Sequence, residues 1–240
     1  MEADPNQTGL IGEEFSLLTT DQGNISEKLT SVNPNFAGVA VEYLKKAGVE
    51  EDDYVAVGWT GSLPAINIAI LSALDVIGAT PVIITSIGSS MWGANNPAMT
   101  WLDIEKVLFD RNIIKHRSIA ASIGGRGDRG GNISPQGRQL SENIINRFEI
   151  PLIKETTLSR SINMRMDLYR SALPEDKEYS AYINVGGGLA SIGSAQNRVL
   201  IPYGVHKTIP MQNYPRKGTM ILFSESGVPI INFEDIEDMA

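Results

Sequence analysis

Apolar runs and amphipathic stretches alternate along most of this chain. Short runs of β-branched and other apolar residues are typical of buried strands, and we predict strands at 54–58, 81–86, 118–123, 151–153 and 180–185. Helical spacing of apolar residues lies before and between them, and it predicts helices at 36–47, from residue 62 onward, and at 100–112, 134–148 and 157–172. Such an alternation predicts an α/β fold: a three-layer, mainly parallel open sheet with helices on both faces.

The first part of the chain has a different pattern. Residues 1–35 are rich in Gly, Asn, Thr, Ser and Pro and show no clear period. We interpret them as an extended N-terminal arm, followed by a single α/β domain at 36–240. An irregular segment of this length is uncommon inside a compact domain. The arm therefore either lies across the domain as a surface segment or contributes to function.

Small polar turns follow four of the predicted strands. Because parallel strands joined by crossover helices end at one edge of the sheet, we expect these turns to lie together. Glycine allows a ligand to approach the backbone closely, and N–H groups at a helix start favour anions. The turns are Thr60-Gly61-Ser62, Ser86-Ile87-Gly88-Ser89-Ser90, Gly124-Gly125-Arg126 and Gly186-Gly187-Gly188. They predict a crevice for an anionic ligand, with Arg126 or Arg129 clamping its carboxylates.

The candidate ligand-binding residues are drawn from these turns and from the loop after the second one. They are Thr60, Gly61, Ser62, Ser89, Ser90, Asn95, Arg126, Gly186, Gly187 and Gly188.

Ser62 is also the candidate catalytic residue. It precedes a predicted helix, where a serine hydroxyl acts either as a nucleophile or as an ordinary N-cap. The surrounding residues match neither a P-loop nor a Gly-x-Ser-x-Gly elbow. Of the two histidines, His116 precedes a strand and is expected at the wrong edge of the sheet. A Ser–His–acid triad would therefore require His206.

Composition and charge exclude several classes of function. The formal net charge is −8 and there is no long basic run, so we expect no nucleic-acid partner. The chain has no cysteine, which excludes disulfides and thiolate catalysis. No His, Asp or Glu residues have metal-ligand spacing, and we predict no metal and no cofactor. The longest apolar stretch, 63–79, is too polar to span a membrane.

Several motifs together resemble the poly-gamma-glutamate system protein family, whose members accompany bacterial poly-γ-glutamate synthesis. The matching stretches cover most of the chain: TGLIGE (8–13), TSVNPNFA (30–37), VGWTGSLPAINIA (57–69), SSMWGAN (89–95), TWLD (100–103), SIAASIGG (118–125) and NVGGGLAS (184–191). The resemblance implies an accessory protein of capsule or polymer synthesis, and it carries no catalytic residue over to this chain. It also implies a cell-envelope location outside the cytoplasmic membrane, with an anchoring segment that precedes this chain.

Three hypotheses follow. The first is an accessory domain of poly-γ-glutamate synthesis or export that binds the polymer, or another glutamate-like anion, at the carboxyl ends of the strands. The second is a serine-dependent amidohydrolase or γ-glutamyl transferase that uses Ser62. The third is a scaffold that docks membrane synthase subunits through the N-terminal arm.

Overall fold

A computed structural model describes residues 4–239 of the protein. The strands in chain order are β1 (Thr19–Asp21), β2 (Tyr54–Thr60), β3 (Thr80–Ser86), β4 (Ser89–Ser90), β5 (Asn95–Asn96), β6 (Met99–Thr100), β7 (Ala120–Ser122), β8 (Leu152–Ile153), β9 (Tyr179–Val185), β10 (Gly204–His206) and β11 (Ile230–Phe233). The α-helices are α1 (Ile25–Ser31), α2 (Phe36–Ala47), α3 (Pro64–Ile77), α4 (Trp101–Asp110), α5 (Pro135–Asn146), α6 (Leu158–Ser171), α7 (Leu189–Ile192), α8 (Thr219–Glu225) and α9 (Ile236–Met239). Two short 3₁₀ turns lie at Arg126–Asp128 and Ala195–Val199.

Seven strands form the central sheet in the order β10-β11-β9-β2-β3-β7-β8. All neighbours are parallel except β10, which runs antiparallel to β11. From β2 the chain adds β3, β7 and β8 on one side, and then returns to place β9 on the other side of β2. The strand order therefore reverses between β2 and β9. Such a reversal is where open α/β sheets form a ligand crevice.

Alternate residues of the central strands enter different cores. In β2, Val55, Val57 and Trp59 belong to one cluster, whereas Ala56 belongs to the other. The first cluster is covered by α2, α3 and α4, and the second by α6 and α8. This alternation follows from the two-residue period of a strand. Helices on both faces and a mainly parallel sheet confirm the predicted three-layer fold class.

The predicted helix at 36–47 is present and ends where the sequence indicates. Gly48 adopts φ 87°, and its N–H bonds to Leu44 and Lys45 carbonyls. Glycine takes this left-handed conformation without the steric cost that a side chain imposes. Gly78 ends α3 in the same way, with φ 84°.

The N-terminal segment is more structured than the predicted extended arm. Residues Ile25–Ser31 form helix α1, whose cap is the Asn24 side chain accepting from the Ser26 N–H. Strand β1 pairs in parallel with β4, a two-residue strand in the loop after β3. A helix of seven residues has no extended apolar period, and pairing between two loops leaves no periodic signal. The segment therefore lies against the carboxyl edge of the sheet and contributes to that edge.

The helices can be compared with the length and hydropathy that a membrane-spanning helix needs. Within residues 4–239, no helix is both long and apolar enough to cross a bilayer.

Candidate functional site

A cleft of about 820 Å³ opens at the carboxyl edge of the central sheet. The turns after β2, β3, β7 and β9 all contribute to its lining, through Thr60, Ser86, Gly124 and Gly186 among others. Its volume lies within the range of small-molecule sites, roughly 300–1,000 Å³. The parallel register brings these separate turns together at one edge.

The reversal of strand order forms the floor of the cleft. Trp59 of β2 pairs with Val185 of β9, and the two strands diverge beyond that point. Gly186 has φ 76° and donates its N–H to the Phe233 carbonyl. The next two N–H groups, of Gly187 and Gly188, donate to no atom among residues 4–239. They are available to a ligand that accepts hydrogen bonds.

The Arg198 side chain approaches the backbone of Gly187 closely. A Cβ atom there would overlap the guanidinium of Arg198. In the structure, Arg198 Nη2 instead donates to the Gly187 carbonyl at 3.2 Å. The missing side chain thus lets a cation lie directly on the backbone at the cleft wall.

A cluster of Lys28, Ser62 and Ser90 forms another part of the wall. Lys28 Nζ lies 3.0 Å from Ser90 Oγ, and the Ser90 N–H donates to Ser62 Oγ at 3.0 Å. The pairing of β1 with β4 places Asp21 opposite Ser90, shortly before α1 begins. Residues far apart in sequence therefore meet because the N-terminal segment packs on the second turn.

Lys28 is unusually buried for a lysine. Its side chain is only 3% exposed, and burial lowers the pKa of its amine. Glu27 opposes that shift from 3.8 Å away. The physical cause is desolvation, which disfavours the charged ammonium.

Ser62 is not the N-cap of α3. The cap is Leu63, with Pro64 in the first turn and no side-chain cap bond. The Ser62 N–H donates to Thr60 Oγ1 at 3.1 Å, and its hydroxyl accepts from Ser90. The hydroxyl proton of Ser62 is given to no atom in the described part of the chain. This unused proton indicates that the Ser62 hydroxyl contacts a ligand rather than caps a helix.

Arg198 and Glu234 form the wall beyond β11. Arg198 Nε lies 3.0 Å from Glu234 Oε1 as an ion pair. Neither carboxylate oxygen of Glu234 has an aligned hydrogen-bond donor among residues 4–239. Burial raises the pKa of Glu234, and Arg198 opposes the shift. A buried acceptor without a donor costs free energy, which a ligand N–H can recover.

The cleft carries both signs of charge. Its basic side chains are Lys28, Arg126 and Arg198, and its acidic side chains are Asp21, Glu27, Glu234 and Asp235. Burial raises the pKa of Glu27 while Lys28 lowers it. This distribution suits a ligand that has anionic groups together with an amine.

Seven of the ten predicted ligand-binding residues line the cleft: Thr60, Ser62, Ser90, Arg126, Gly186, Gly187 and Gly188. The other three lie outside it. Gly61 is enclosed by neighbouring backbone, with the Ile87 carbonyl 3.0 Å from where a Cβ would stand. Ser89 is fully buried and donates to the carbonyls of Gly61 and Ser90. These two residues hold the turns together instead of facing a ligand.

Asn95 likewise has a structural role. It is fully buried, and its side chain exchanges hydrogen bonds with the backbone of Glu13 at 2.9 and 2.8 Å. It also donates to Thr19 Oγ1 at 3.0 Å. Asn95 therefore fastens the N-terminal segment to the domain.

The two arginines of the third turn separate. Arg126 is exposed and lines the cleft. Arg129 points away and donates to the Thr156 carbonyl at 3.0 Å. Asp128 between them is buried and pairs with Arg165 at 3.0 Å. The clamp role predicted for either arginine is therefore open only to Arg126.

The Ser62–His206 triad is contradicted by the topology. His206 lies on β10, three strands from β2, or about 14 Å at the usual strand spacing of ~4.8 Å. It pairs with Ile230 at the start of β11, and its Nε2 lies 2.8 Å from the Tyr203 carbonyl. No histidine lines the cleft. Ser62 therefore has no imidazole base.

Sequence reasoning missed Lys28, Arg198 and Glu234. None of them lies in a Gly/Ser turn, and each reaches the cleft through long-range packing. Two of them follow from features that the sequence does show: Glu234 directly succeeds an apolar run, and Lys28 is the single cation of 1–35. The signal for Lys28 was that it is a basic residue in a segment whose other charged residues are all acidic.

Neither a metal site nor a family match identifies what the cleft does. Among residues 4–239, no group of three or more His, Asp or Glu side chains converges in a way that could hold a metal ion. The chain matches no protein-family model, and no curated protein is significantly similar to it.

Proposed function

We propose that this protein binds an anionic, glutamate-type ligand in the cleft, as an accessory domain of poly-γ-glutamate synthesis or export. One observation carries the proposal. Cationic side chains and unpaired backbone N–H groups, those of Gly187 and Gly188, meet at the carboxyl ends of parallel strands. The resemblance to poly-gamma-glutamate system proteins suggests the identity of the polymer, and the groups that line the cleft suggest how it binds.

Carboxylate groups suit the donors that the cleft presents. Backbone N–H groups bind a carboxylate oxygen without any side-chain ordering, and Arg126 adds a cation at the cleft mouth. γ-Linked glutamate carries one free carboxylate on every residue. Several carboxylates of one chain can therefore engage Arg126 and these N–H groups at once.

Two half-buried acids of the cleft, Glu27 and Glu234, favour one end of such a chain. Glu234 lacks an aligned donor, and Glu27 of α1 is close enough to raise the pKa of Glu234. An ammonium group supplies N–H donors to these acceptors. The amino end of a γ-glutamyl chain combines an ammonium with nearby carboxylates. We therefore expect a chain end, rather than an internal segment, to bind best.

Calorimetric titration with γ-linked tetraglutamate tests the proposal. We expect a dissociation constant below about 1 mM, equivalent to roughly −4 kcal/mol. Arg126→Gln should weaken binding by about 10- to 100-fold, because a hydrogen bond to a charged group contributes ~1.5–3 kcal/mol. Arg129→Gln is the matched control, since that side chain is three positions away and outside the cleft. Absence of heat at millimolar ligand would refute the proposal.

The scaffold hypothesis has less support. The N-terminal segment, its expected contact, is fastened to the domain by Asn95 and by the β1–β4 pairing. It also provides Lys28 to the cleft. The segment therefore completes the binding site instead of extending from it.

A further inference from the structure

We infer that Ser90 and Lys28 form a nucleophile–base pair that cleaves or transfers an acyl group bound in the cleft. The inference adds an activity to the binding site, and for its substrate class it rests on the proposed function. The substrate is an amide whose acyl part carries a free carboxylate. Ser90, not Ser62, is the nucleophile.

The geometry is that of a hydrogen-bonded pair open to a ligand. Lys28 Nζ lies 3.0 Å from Ser90 Oγ, and both residues line the cleft. This distance is within the range for a base acting on a nucleophile. No histidine is available in the cleft to do the same.

Lys28 has the environment that a lysine base requires. Its side chain is 3% exposed, so water does not stabilise the ammonium, and burial lowers its pKa. Glu27 is the charged group facing it, at 3.8 Å. Asp235 and Glu237 lie close enough to raise the pKa of Glu27 further. Burial and these neighbouring carboxylates thus act against the charged form of Glu27, which is the group that raises the pKa of Lys28.

Ser62 provides a further contact. Its hydroxyl accepts from the Ser90 N–H at 3.0 Å, which fixes the orientation of both residues. Its own proton is not used within the described part of the protein. A hydroxyl proton beside the nucleophile can donate to the oxygen of an attacked carbonyl. We assign Ser62 this stabilising role.

The reaction proceeds in two balanced halves. Ser90 Oγ bonds to the amide carbonyl carbon while its proton passes to the neutral Lys28 amine. The C–N bond then breaks, and Lys28 returns the proton to the departing amine, leaving an ester on Ser90. Water, or an acceptor amine, attacks the ester while Lys28 takes its proton. The C–O bond breaks, the proton returns to Ser90, and the acyl group leaves as an acid or a new amide.

Labelling of the full chain with a fluorophosphonate probe tests the pair directly, because the probe reacts only with activated serines. We expect one adduct, mapped by mass spectrometry to Ser90, and a labelling rate that rises with pH as one group deprotonates. Lys28→Arg keeps the charge but cannot lose its proton. It should slow labelling by about 100-fold or more, and it should abolish the pH dependence. Lys46→Arg, at an exposed position of α2, should label as the wild type does.

Two outcomes would overturn the inference: no adduct on Ser90, or equal labelling of the Lys28→Arg variant. Adduct mapping uses the wild-type protein, so the result does not depend on a variant folding. The same samples are titrated with γ-linked tetraglutamate. Binding without labelling refutes the Ser90–Lys28 pair and leaves the proposed function standing. Labelling without binding refutes the proposed function, and with it the substrate class, but leaves the pair standing. Turnover of γ-glutamyl-p-nitroanilide should be lost in Ser90→Ala and kept in Ser72→Ala, whose hydroxyl is exposed on α3.

Discussion

Lys28 Nζ lies 3.0 Å from Ser90 Oγ, although 62 positions separate the two residues along the chain. The contact depends on the parallel pairing of β1 with β4. It makes the N-terminal segment part of the cleft, together with four turns of the central sheet. Both the ligand-binding role and the Ser90–Lys28 pair depend on this packing.

We expect the proposed preference of the cleft for an amino end to depend on Glu234. Glu234→Gln keeps the size of the side chain but removes a negative charge that faces the ligand ammonium. We expect this variant to bind γ-linked tetraglutamate about 10- to 100-fold more weakly, since hydrogen bonds to charged groups contribute ~1.5–3 kcal/mol. An N-acetylated tetraglutamate should bind the wild type with the same reduction in affinity. Equal affinity of the free and acetylated peptides would show that the amino end is not recognised.

Glu105 should make the stability of the fold depend on pH. It is buried in α4 and accepts from the Ser118 N–H and hydroxyl at 2.9 and 2.8 Å. Burial raises its pKa to about 7 from an ordinary value of 4.5. A raised carboxyl pKa means that the folded state favours the protonated form. The contribution to stability is therefore complete below 4.5 and is lost as pH rises to about 7.

Glu105→Gln tests this dependence, because glutamine mimics the protonated carboxyl. By urea unfolding near pH 4.5, the variant and the wild type should be similarly stable. Near pH 8 the variant should be more stable by up to about 3 kcal/mol. A wild-type stability that rises between those two conditions relative to the variant would contradict the expectation.

The buried Asp128–Arg165 ion pair should stabilise the third turn. Arg165 Nη2 lies 3.0 Å from Asp128 Oδ2 and donates to Ser122 Oγ at 2.7 Å. Arg165→Met leaves a buried carboxylate without its cation, and we expect it to lower the free energy of unfolding by about 3–5 kcal/mol. Arg170→Met, in an exposed pair with Asp167, should cost only about 0–1 kcal/mol. Similar losses of unfolding free energy in the two variants would mean that the buried pair stabilises the fold no more than the exposed pair does.

Two glycines should respond oppositely to alanine. At Gly88 a Cβ would stand 2.6 Å from both the Ile123 carbonyl oxygen and Thr20 Cγ2, so Gly88→Ala should destabilise by about 1–3 kcal/mol. Gly38 lies in α2 with nothing within 4 Å of an added Cβ. Gly38→Ala should therefore stabilise by about 0.5–1 kcal/mol. Chemical unfolding of both variants measures the contrast, and a shift of the same sign in both would oppose this account.

The sequence indicated the fold and the four turns for definite physical reasons. Apolar runs such as Val55 to Val57 have to be buried on both faces, and parallel strands have to end at one edge. Lys28 could not be placed in this way, because its position follows from a loop pairing without periodicity. Ser89 and Asn95 show the opposite failure. A polar residue in a turn can face a ligand or bond to the backbone, and sequence alone does not distinguish the two.

The most direct test of the central claim locates the ligand. Two-dimensional amide NMR spectra of the isotopically labelled protein would be recorded during titration with γ-linked tetraglutamate. We expect saturable shifts at Gly187, Gly188 and Ser90, whose amides lie at the cleft, together with Arg126. Shifts confined to other surfaces, or no shifts at millimolar ligand, would contradict the claim that this cleft binds a glutamate-type anion.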